Sequence, residues 1–472
     1  MRYRRLTWTL ALLLLGAVAP AHAGDDQLSS PSDLQALVDD AYIYGYPLVL
    51  MDATRKSMTA VTTPGPQGAP VNRFFYARSL PNPSERWVVR PNLDTLYATA
   101  WVDLSGEPIV MHVPKVTGRF YLLQVLDGWT NVIAAPGTRT LNGADRDIAL
   151  VGPRWHGTLP PGLDRVDAPT DLIWIIGRTE VKGAGDLDAA RTVELQYTLQ
   201  PLTAFARNDA LPPAEAFDLE DKGEKPPIAV AQLDPVSYFR TLARLMRDNP
   251  PPATDQEALA RFAKLGLRPG EPFDPSPEVA RALAGVSSRA RQRLTALSLR
   301  LGEAKGGWRT IPDDVGAFGS NYDERATVAL VGLGANLAAD AIYPNAHVDG
   351  RGRPLDGSHR YVLHFERGQA PPVAAFWSLT LYDDDGYLSD NPARRYALRD
   401  RDPLRYNGDG SLDLYVQRQP PTDAALRANW LPTPAGTFNL MLRLYMPKPT
   451  ALSHEWSPPA LQRIDEPRAA KR

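Results

Sequence analysis

Three groups of residues have the types and spacing to do chemistry. In Pro91-Asn92-Leu93-Asp94-Thr95-Leu96-Tyr97, Asn92 and Asp94 lie two apart, so on extended backbone their side chains point the same way. Asp94 could serve as a general base or bind a hydroxyl, with Asn92 and Tyr97 beside it as ligand-binding groups. An Asx-type turn bonding its own backbone needs the same residues. Arg119 and Tyr121, also two apart, could reach this region from the next strands, where the arginine would stabilise negative charge or pair with Asp94 or Asp103. Asp94, Arg119 and Tyr121 are the catalytic candidates.

The third group comes from alternation late in the chain. Leu412, Leu414 and Val416 read as core together with Phe438, Leu440, Leu442 and Leu444. The opposite parity carries Asp413, Tyr415 and Gln417, then Asn439, Arg443 and Tyr445, with Ser378, Thr380 and Tyr382 as their neighbours and His364 and Glu366 further along. Tyrosines, an arginine and amides on one sheet face suit the floor of a polar ligand site, and an ordinary solvated face shows the same pattern. Trp377, Tyr382, Tyr415 and Arg443 join Asn92 and Tyr97 as ligand-binding candidates.

Other chemistries have less to stand on. Asp383-Asp384-Asp385-Gly386 and Asn407-Gly408-Asp409-Gly410-Ser411-Leu412-Asp413 offer oxygen ligands, but hairpin turns explain both, and the second lacks the terminal glutamate of a calcium loop. The histidines show no paired metal-ligand spacing, and no phosphate loop, nucleophile elbow or dinucleotide fingerprint is present. No metal and no cofactor are expected. With zero cysteines the chain has neither disulfides nor thiol nucleophiles.

The ends and the overall composition set the compartment. Arg2, Arg4 and Arg5 precede the apolar run Leu10 to Val18 and the small-residue site Ala21-His22-Ala23, the pattern of a signal peptide cleaved after Ala23. The run is too short for a stable membrane span. Removing it takes 52 basic residues to 49 against 54 acids, a net charge of about −5. That balance argues against a nucleic-acid partner and leaves a small-molecule ligand, with a homo-oligomer open. The compartment expected is a bacterial periplasm.

The elements that must position these residues follow from periodicity. Ser32 and Asp33 can cap a helix with Leu34, Leu37, Val38, Ala41 and Tyr42 on one face, which Gly45 and Pro47 should kink or end. Short strands are predicted over 87–90, 97–104, 109–113, 119–126 and 171–176, and a helix over 186–202. Helices are predicted over 236–246, 255–263, 277–301 and 326–341; the arginines of the third read as a solvated face. Strands return over 361–366, 374–382, 411–417 and 437–446. The fold expected is α+β and β-dominated: two antiparallel β-sandwich or jelly-roll-like domains joined by a helical middle segment. Its parts are a signal peptide (1–23), an N-terminal helical lead (24–62), a first β domain (63–205), a linker and helical segment (206–345) and a second β domain (346–472).

Two families resemble this pattern. Asn92 to Tyr97 with Asp103-Leu104, Gly118-Arg119-Phe120-Tyr121 and Asp127 through Thr130-Asn131 resemble the domain of unknown function 1254. Phe376 to Tyr382, Asn391-Pro392 with Arg395-Tyr396, Asp409 to Leu412, Asn429 to Pro432 and Arg443 to Pro447 resemble its usual companion, domain 1214. The resemblance implies a bacterial, often exported, two-domain protein with β-sandwich or jelly-roll-like modules, and implies no activity. Taken together, these observations favour a periplasmic binding or enzyme-accessory protein for a carbohydrate-like or lipid-like small molecule. The alternatives are a cofactor-independent hydrolase or lyase using a carboxylate base and an arginine, and an envelope structural protein.

Overall fold

The computed structural model describes residues 30–464 apart from 87, 222 and 224, so the leader and the start of the run at 87–90 lie outside the described residues. Residues 88–90 form a bend, not a strand.

Helix α1 (Pro31–Thr59) is capped by Ser30, whose hydroxyl accepts the Asp33 N–H at 3.2 Å. It does not end at Gly45 and Pro47 but runs on to Thr59, and every residue from Ala41 to Asp52 is buried. Gly45 is there for approach: a Cβ would lie 2.2 Å from Leu242 Cδ2. Pro47 lacks an N–H to give the ladder, and packing on all sides holds the helix through that gap. The helices Pro235–Asp248, Gln256–Ala263, Pro277–Leu283 and Val286–Ser298, and α2 (Tyr322–Gly332), share one apolar core with α1. The helix of the lead and these helices of the middle segment thus pack together, while strands at Glu303–Lys305, Trp308–Thr310, Ala341–Ile342 and Asn345–Ala346 join the sheet that holds Phe438–Tyr445.

Two of the expected helices are divided. The 277–301 stretch breaks at Gly285, which sits at φ 72°, a left-handed conformation that glycine adopts without strain. Its arginines are more than a solvated face: Arg289 pairs with Asp39 at 2.7 Å and Arg293 with Asp40 at 2.9 Å, tying Val286–Ser298 to α1. The 186–202 stretch is a helix only over Leu187–Glu194, and Thr198–Pro201 becomes a strand beside Ile109–Val113.

Among the described residues four sheets make up the remainder, so the fold is mixed α+β. The first has β1 (Thr95–Asp103), β2 (Tyr121–Asp127) and β3 (Leu172–Glu180) at its centre, with β3 between the other two. A four-stranded sheet containing Ile109–Val113 and Arg146–Val151 shares its core. The third is built on β4 (Trp377–Asp383), β5 (Ala397–Arg399) and β6 (Phe438–Tyr445), with β4 in the middle of the three. It shares a core with the fourth, which holds Tyr361–Phe365 and Leu412–Gln417. Pairing is not purely antiparallel: Phe75–Ala77 runs parallel to Ala216–Phe217, Arg146–Val151 to Asp164–Asp167, and Leu412–Gln417 to Trp430–Pro432. The strand paths stay open, and no barrel closes among the described residues.

No helix among the described residues is long and apolar enough to cross a membrane.

Candidate functional site

Strand β1 sends Ala98, Ala100 and Val102 into the shared core and Tyr97, Thr99 and Trp101 to the other face. Register places Tyr97 opposite Arg178, Thr99 opposite Ile176 and Trp101 opposite Trp174. From β2, Leu122, Gln124 and Leu126 continue the same three rows. The face is therefore polar at one end and apolar at the other, where Trp101 and Trp174 stack at 4.6 Å.

The second β domain brings a matching face. On β4, Ser378 lies between Arg443 of β6 and Arg399 of β5, with Thr380 and Tyr382 following at two-residue intervals. This polar face closes over the corner Pro91 to Asp94. Buried polar groups are costly unless paired, and here the pairing runs between the corner ahead of β1 and the third sheet.

Asp94 is fully buried and serves both readings of its corner in part. Its N–H donates to Asn92 Oδ1 at 2.8 Å, the expected Asx turn. Its carboxylate accepts from Arg399 Nε at 3.0 Å, Arg401 Nη2 at 3.4 Å, Tyr445 at 3.5 Å and the Ser378 hydroxyl. Burial pushes the Asp94 carboxyl up, but Arg399, Arg443, Arg401 and Ser378 outweigh it and hold it below the usual carboxylate range. A sealed carboxylate held ionised by arginines is a poor proton acceptor.

Arg443, also buried, donates to Thr380 Oγ1 at 2.8 Å, Tyr382 OH at 2.5 Å and the Arg90 carbonyl at 3.2 Å. Tyr382 in turn donates to the Pro91 carbonyl at 2.7 Å. Arg90 (φ 53°) and Met446 (φ 50°), one on each side of this junction, hold left-handed backbone that non-glycine residues seldom adopt. Strain of this kind persists where surrounding structure enforces it, often at functional sites.

Next to the sealed cluster, Tyr97 and Tyr343 remain partly accessible. The Tyr97 hydroxyl accepts Arg178 Nε at 3.3 Å and Asn92 Nδ2 at 3.3 Å. Asn92 Nδ2 also reaches Tyr445 OH at 2.9 Å. Arg178 is fixed by Gln124 Oε1 and by the Gly334 carbonyl, 3.4 Å from its Nη2, and Gln124 Nε2 donates to that carbonyl at 2.8 Å. Gly334 lies so close to the sheet that a Cβ would sit 2.5 Å from Ile176 Cδ1. Burial pushes the Tyr97 phenol up, yet Arg178, Asn92 and Arg443 more than reverse it and leave it below the usual tyrosine value. Tyr343, which donates to Asn336 Oδ1 at 2.6 Å, is pushed the other way by burial, up to about 12.

Several predicted residues are placed elsewhere. Arg119 does not meet Asp94; it clamps Asp186 with contacts of 2.5 and 2.7 Å and donates to the Glu180 carbonyl. Tyr121 points into the core shared by the first two sheets, on the opposite face from Leu122 and Gln124. Trp377 packs in the second β core near Phe365, because its parity is that of Leu379 and Leu381. Tyr415 lies on the fourth sheet, paired with Val362 and Trp430, away from the junction. The structure brings together Asn92, Asp94, Tyr97, Tyr382 and Arg443. It adds Arg178, Gln124, Tyr343, Arg399 and Arg401, which sequence reasoning missed. Continuing the alternation of the 171–176 strand by two residues would have put Arg178 on the face of Trp174 and Ile176; for Arg399 and Arg401 no local signal exists.

The acidic turns are occupied by their own neighbours. Asp409 accepts the Ser411 N–H at 2.9 Å, and Asp413 shares a 2.6 Å hydrogen bond with His364 Nδ1. Among the described residues no cluster of three metal-ligating side chains occurs. A separate cleft of about 360 Å³ lies between α1, Pro235–Asp248 and the first β domain. Its charges answer one another: Asp52 meets Arg55 at 2.8 Å and Arg244 at 3.7 Å, and Arg154 bridges Asp171 and Asp248. Size alone therefore does not make it the better site.

Comparison with known proteins agrees with this architecture. Over 91% of its length the chain is similar to the VPA0106 protein from Vibrio parahaemolyticus, covering 100% of that chain at 22% identity and a TM-score of 0.69, a shared fold. An uncharacterized protein from Burkholderia cenocepacia matches over 92% of this chain and 95% of its own at 13% identity, with a TM-score of 0.43. No curated protein matches significantly. Residues 71–201 match the profile of a protein of unknown function, DUF1254, and residues 340–449 that of a second, DUF1214. The chain thus carries both domains, the DUF1254 segment supplying Asp94, Tyr97 and Arg178 to the junction and the DUF1214 segment Ser378, Tyr382, Arg399 and Arg443.

Proposed function

We propose that this chain is an exported, periplasmic small-molecule-binding protein, built on two β-sandwich, jelly-roll-like modules, whose ligand lies against Tyr97 and Arg178 at the module junction. The observation that carries this reading is Tyr97, a half-buried residue whose hydroxyl faces two N–H donors at the edge of an otherwise sealed charged cluster. Arg178 and Tyr343 suit an oxygen-rich or anionic head group. Next to them the sheet face is apolar, with Ile176, the partly buried Val132 and the stacked Trp101 and Trp174, which suits a lipid-like body better than a sugar ring.

A screen of medium-chain carboxylates and hydroxy acids by thermal shift tests this. Binding of the strongest hit, followed by calorimetry, should weaken about 30-fold or more in Arg178→Gln, the loss typical of truncating one partner of a buried charged contact. Equal affinity in a folded Arg178→Gln variant would rule the site out. Export is tested separately: the protein should be recovered from the periplasmic fraction with Gly24 at its N-terminus. Recovery from the cytoplasm with Met1 or Arg2 retained would overturn it.

A second reading, a cofactor-independent lyase, is favoured by one observation, the two N–H donors that Arg178 and Asn92 aim at the Tyr97 oxygen. Asp94, sealed by arginines, is not its base.

A further inference from the structure

We propose that Tyr97 is the proton-transfer residue of this junction, acting as a phenolate base on a C–H adjacent to the carbonyl of a carboxylate-bearing, amphiphilic ligand. This rests on the reading that the ligand lies against Tyr97 and Arg178.

Geometry comes first. The phenolic oxygen receives Arg178 Nε and Asn92 Nδ2, each at 3.3 Å, and its own O–H finds no acceptor among the described residues. Both donors are anchored from behind, Arg178 by Gln124 and the Gly334 carbonyl, Asn92 by Tyr445 and the Asp94 N–H. Once the proton leaves, the oxygen already has two N–H groups to stabilise it, with no rearrangement needed. Arg178 also sits 5.3 Å from the Tyr97 ring centroid.

The surrounding charges act in the same direction. Arg178 faces Tyr97 from β3 and Arg443 from β6, while Tyr343 and Tyr445 face it as neutral phenols, both pushed up by burial. Asp94 is the nearby carboxylate, and Arg399 and Arg401 from the other side take up its charge. The balance at the Tyr97 oxygen is cationic, consistent with its phenol lying below the usual value. Asp94 cannot share the task, being enclosed; of the two half-buried phenols, Tyr343 donates its O–H to Asn336, while the Tyr97 oxygen faces two N–H donors.

The chemistry balances without a cofactor. The Tyr97 phenolate takes the proton from the carbon, forming its O–H bond as the C–H bond breaks. The C–H electron pair moves into the carbonyl to give an enolate. Arg178 commits three of its N–H groups to Tyr97, Gln124 and Gly334, and a guanidinium has five, so two are left for the enolate oxygen or the carboxylate. Collapse of the enolate returns the proton from Tyr97 to carbon, or expels a β-substituent that leaves with that proton. Either route regenerates the phenolate.

Two measurements on the mature protein test this. In an ultraviolet titration of the tyrosinate band, wild type should show one tyrosine ionising at lower pH than the rest. The step should vanish in Tyr97→Phe and move to higher pH in Arg178→Gln. The second uses 2-oxodecanoate as probe in D2O: proton NMR should show its C3 protons exchanging about 100-fold faster with wild type than with Tyr97→Phe, the rate rising through the same pH step. A titration unchanged by Tyr97→Phe overturns the proposal. Calorimetric binding of 2-oxodecanoate to wild type without faster exchange also overturns it, while leaving the binding reading standing.

Discussion

Asp94→Asn should lose about 3–5 kcal/mol of stability, the largest single effect expected in this chain outside the apolar cores. The substitution hardly changes shape, but it removes the one negative charge that Arg399, Arg401 and Arg443 share, leaving Arg443 buried and Arg399 and Arg401 half-buried beside a neutral amide. The Asn92 turn is spared, because it uses the backbone N–H of residue 94. The loss should therefore appear as a lower midpoint in urea unfolding, with the β1 corner still formed.

The same pair predicts a pH signature. The Asp94 carboxyl is held below its ordinary value of 3.8 in the folded chain. Its contribution is thus fully present above about pH 4 and disappears as pH falls through the depressed folded value. The gap between wild type and Asp94→Asn should be widest at neutral pH and should close in acid. A gap that stays constant from pH 7 down to pH 3 would mean that the carboxylate charge is not what stabilises the junction.

Arg443→Met should cost a similar amount, about 3–5 kcal/mol, for a different reason. Methionine fills much of the volume but leaves the Arg90 carbonyl without a donor and removes the donors to Thr380 and Tyr382. Each of those groups would stay buried. Because Asp94 and Arg443 act in one network, the double variant should lose clearly less than the sum of the two single losses. Additive losses in the urea midpoints would show that the two residues act independently and that the cluster is not one unit.

Much of this junction was legible from alternation. The two-residue period put Thr380, Tyr382 and Arg443 on one face and Leu440, Leu442 and Leu444 on the other, as the structure has them. Alternation assigns a face within a strand but not the sheet to which the strand belongs. Tyr415 has the right parity and the wrong sheet, since Leu412–Gln417 pairs with Tyr361–Phe365 and not with β6. Trp377 has the right sheet and the wrong parity. Arg119 shows a second limit: a cation's partner is chosen in three dimensions, and Asp186 is closer than Asp94 once β3 returns beside β2. Helix ends were misplaced where tertiary packing carries the helix on past Pro47, and where the pattern hid a break, at Gly285. Arg399 and Arg401 sit in Ala397-Leu398-Arg399-Asp400-Arg401-Asp402, which reads as an ordinary charged turn.

The charge cluster at Asp94 has a consequence for dividing the chain. Its anion comes from one family's segment and its cations from the other's, and neither set can be sheltered from water by its own half. A DUF1254 segment transplanted without its companion would carry a carboxylate built for arginines it no longer has. A DUF1214 segment alone would present a row of cations to nothing. In this chain, then, each segment's buried charge is neutralised by the other, and cutting between them would leave both seams open.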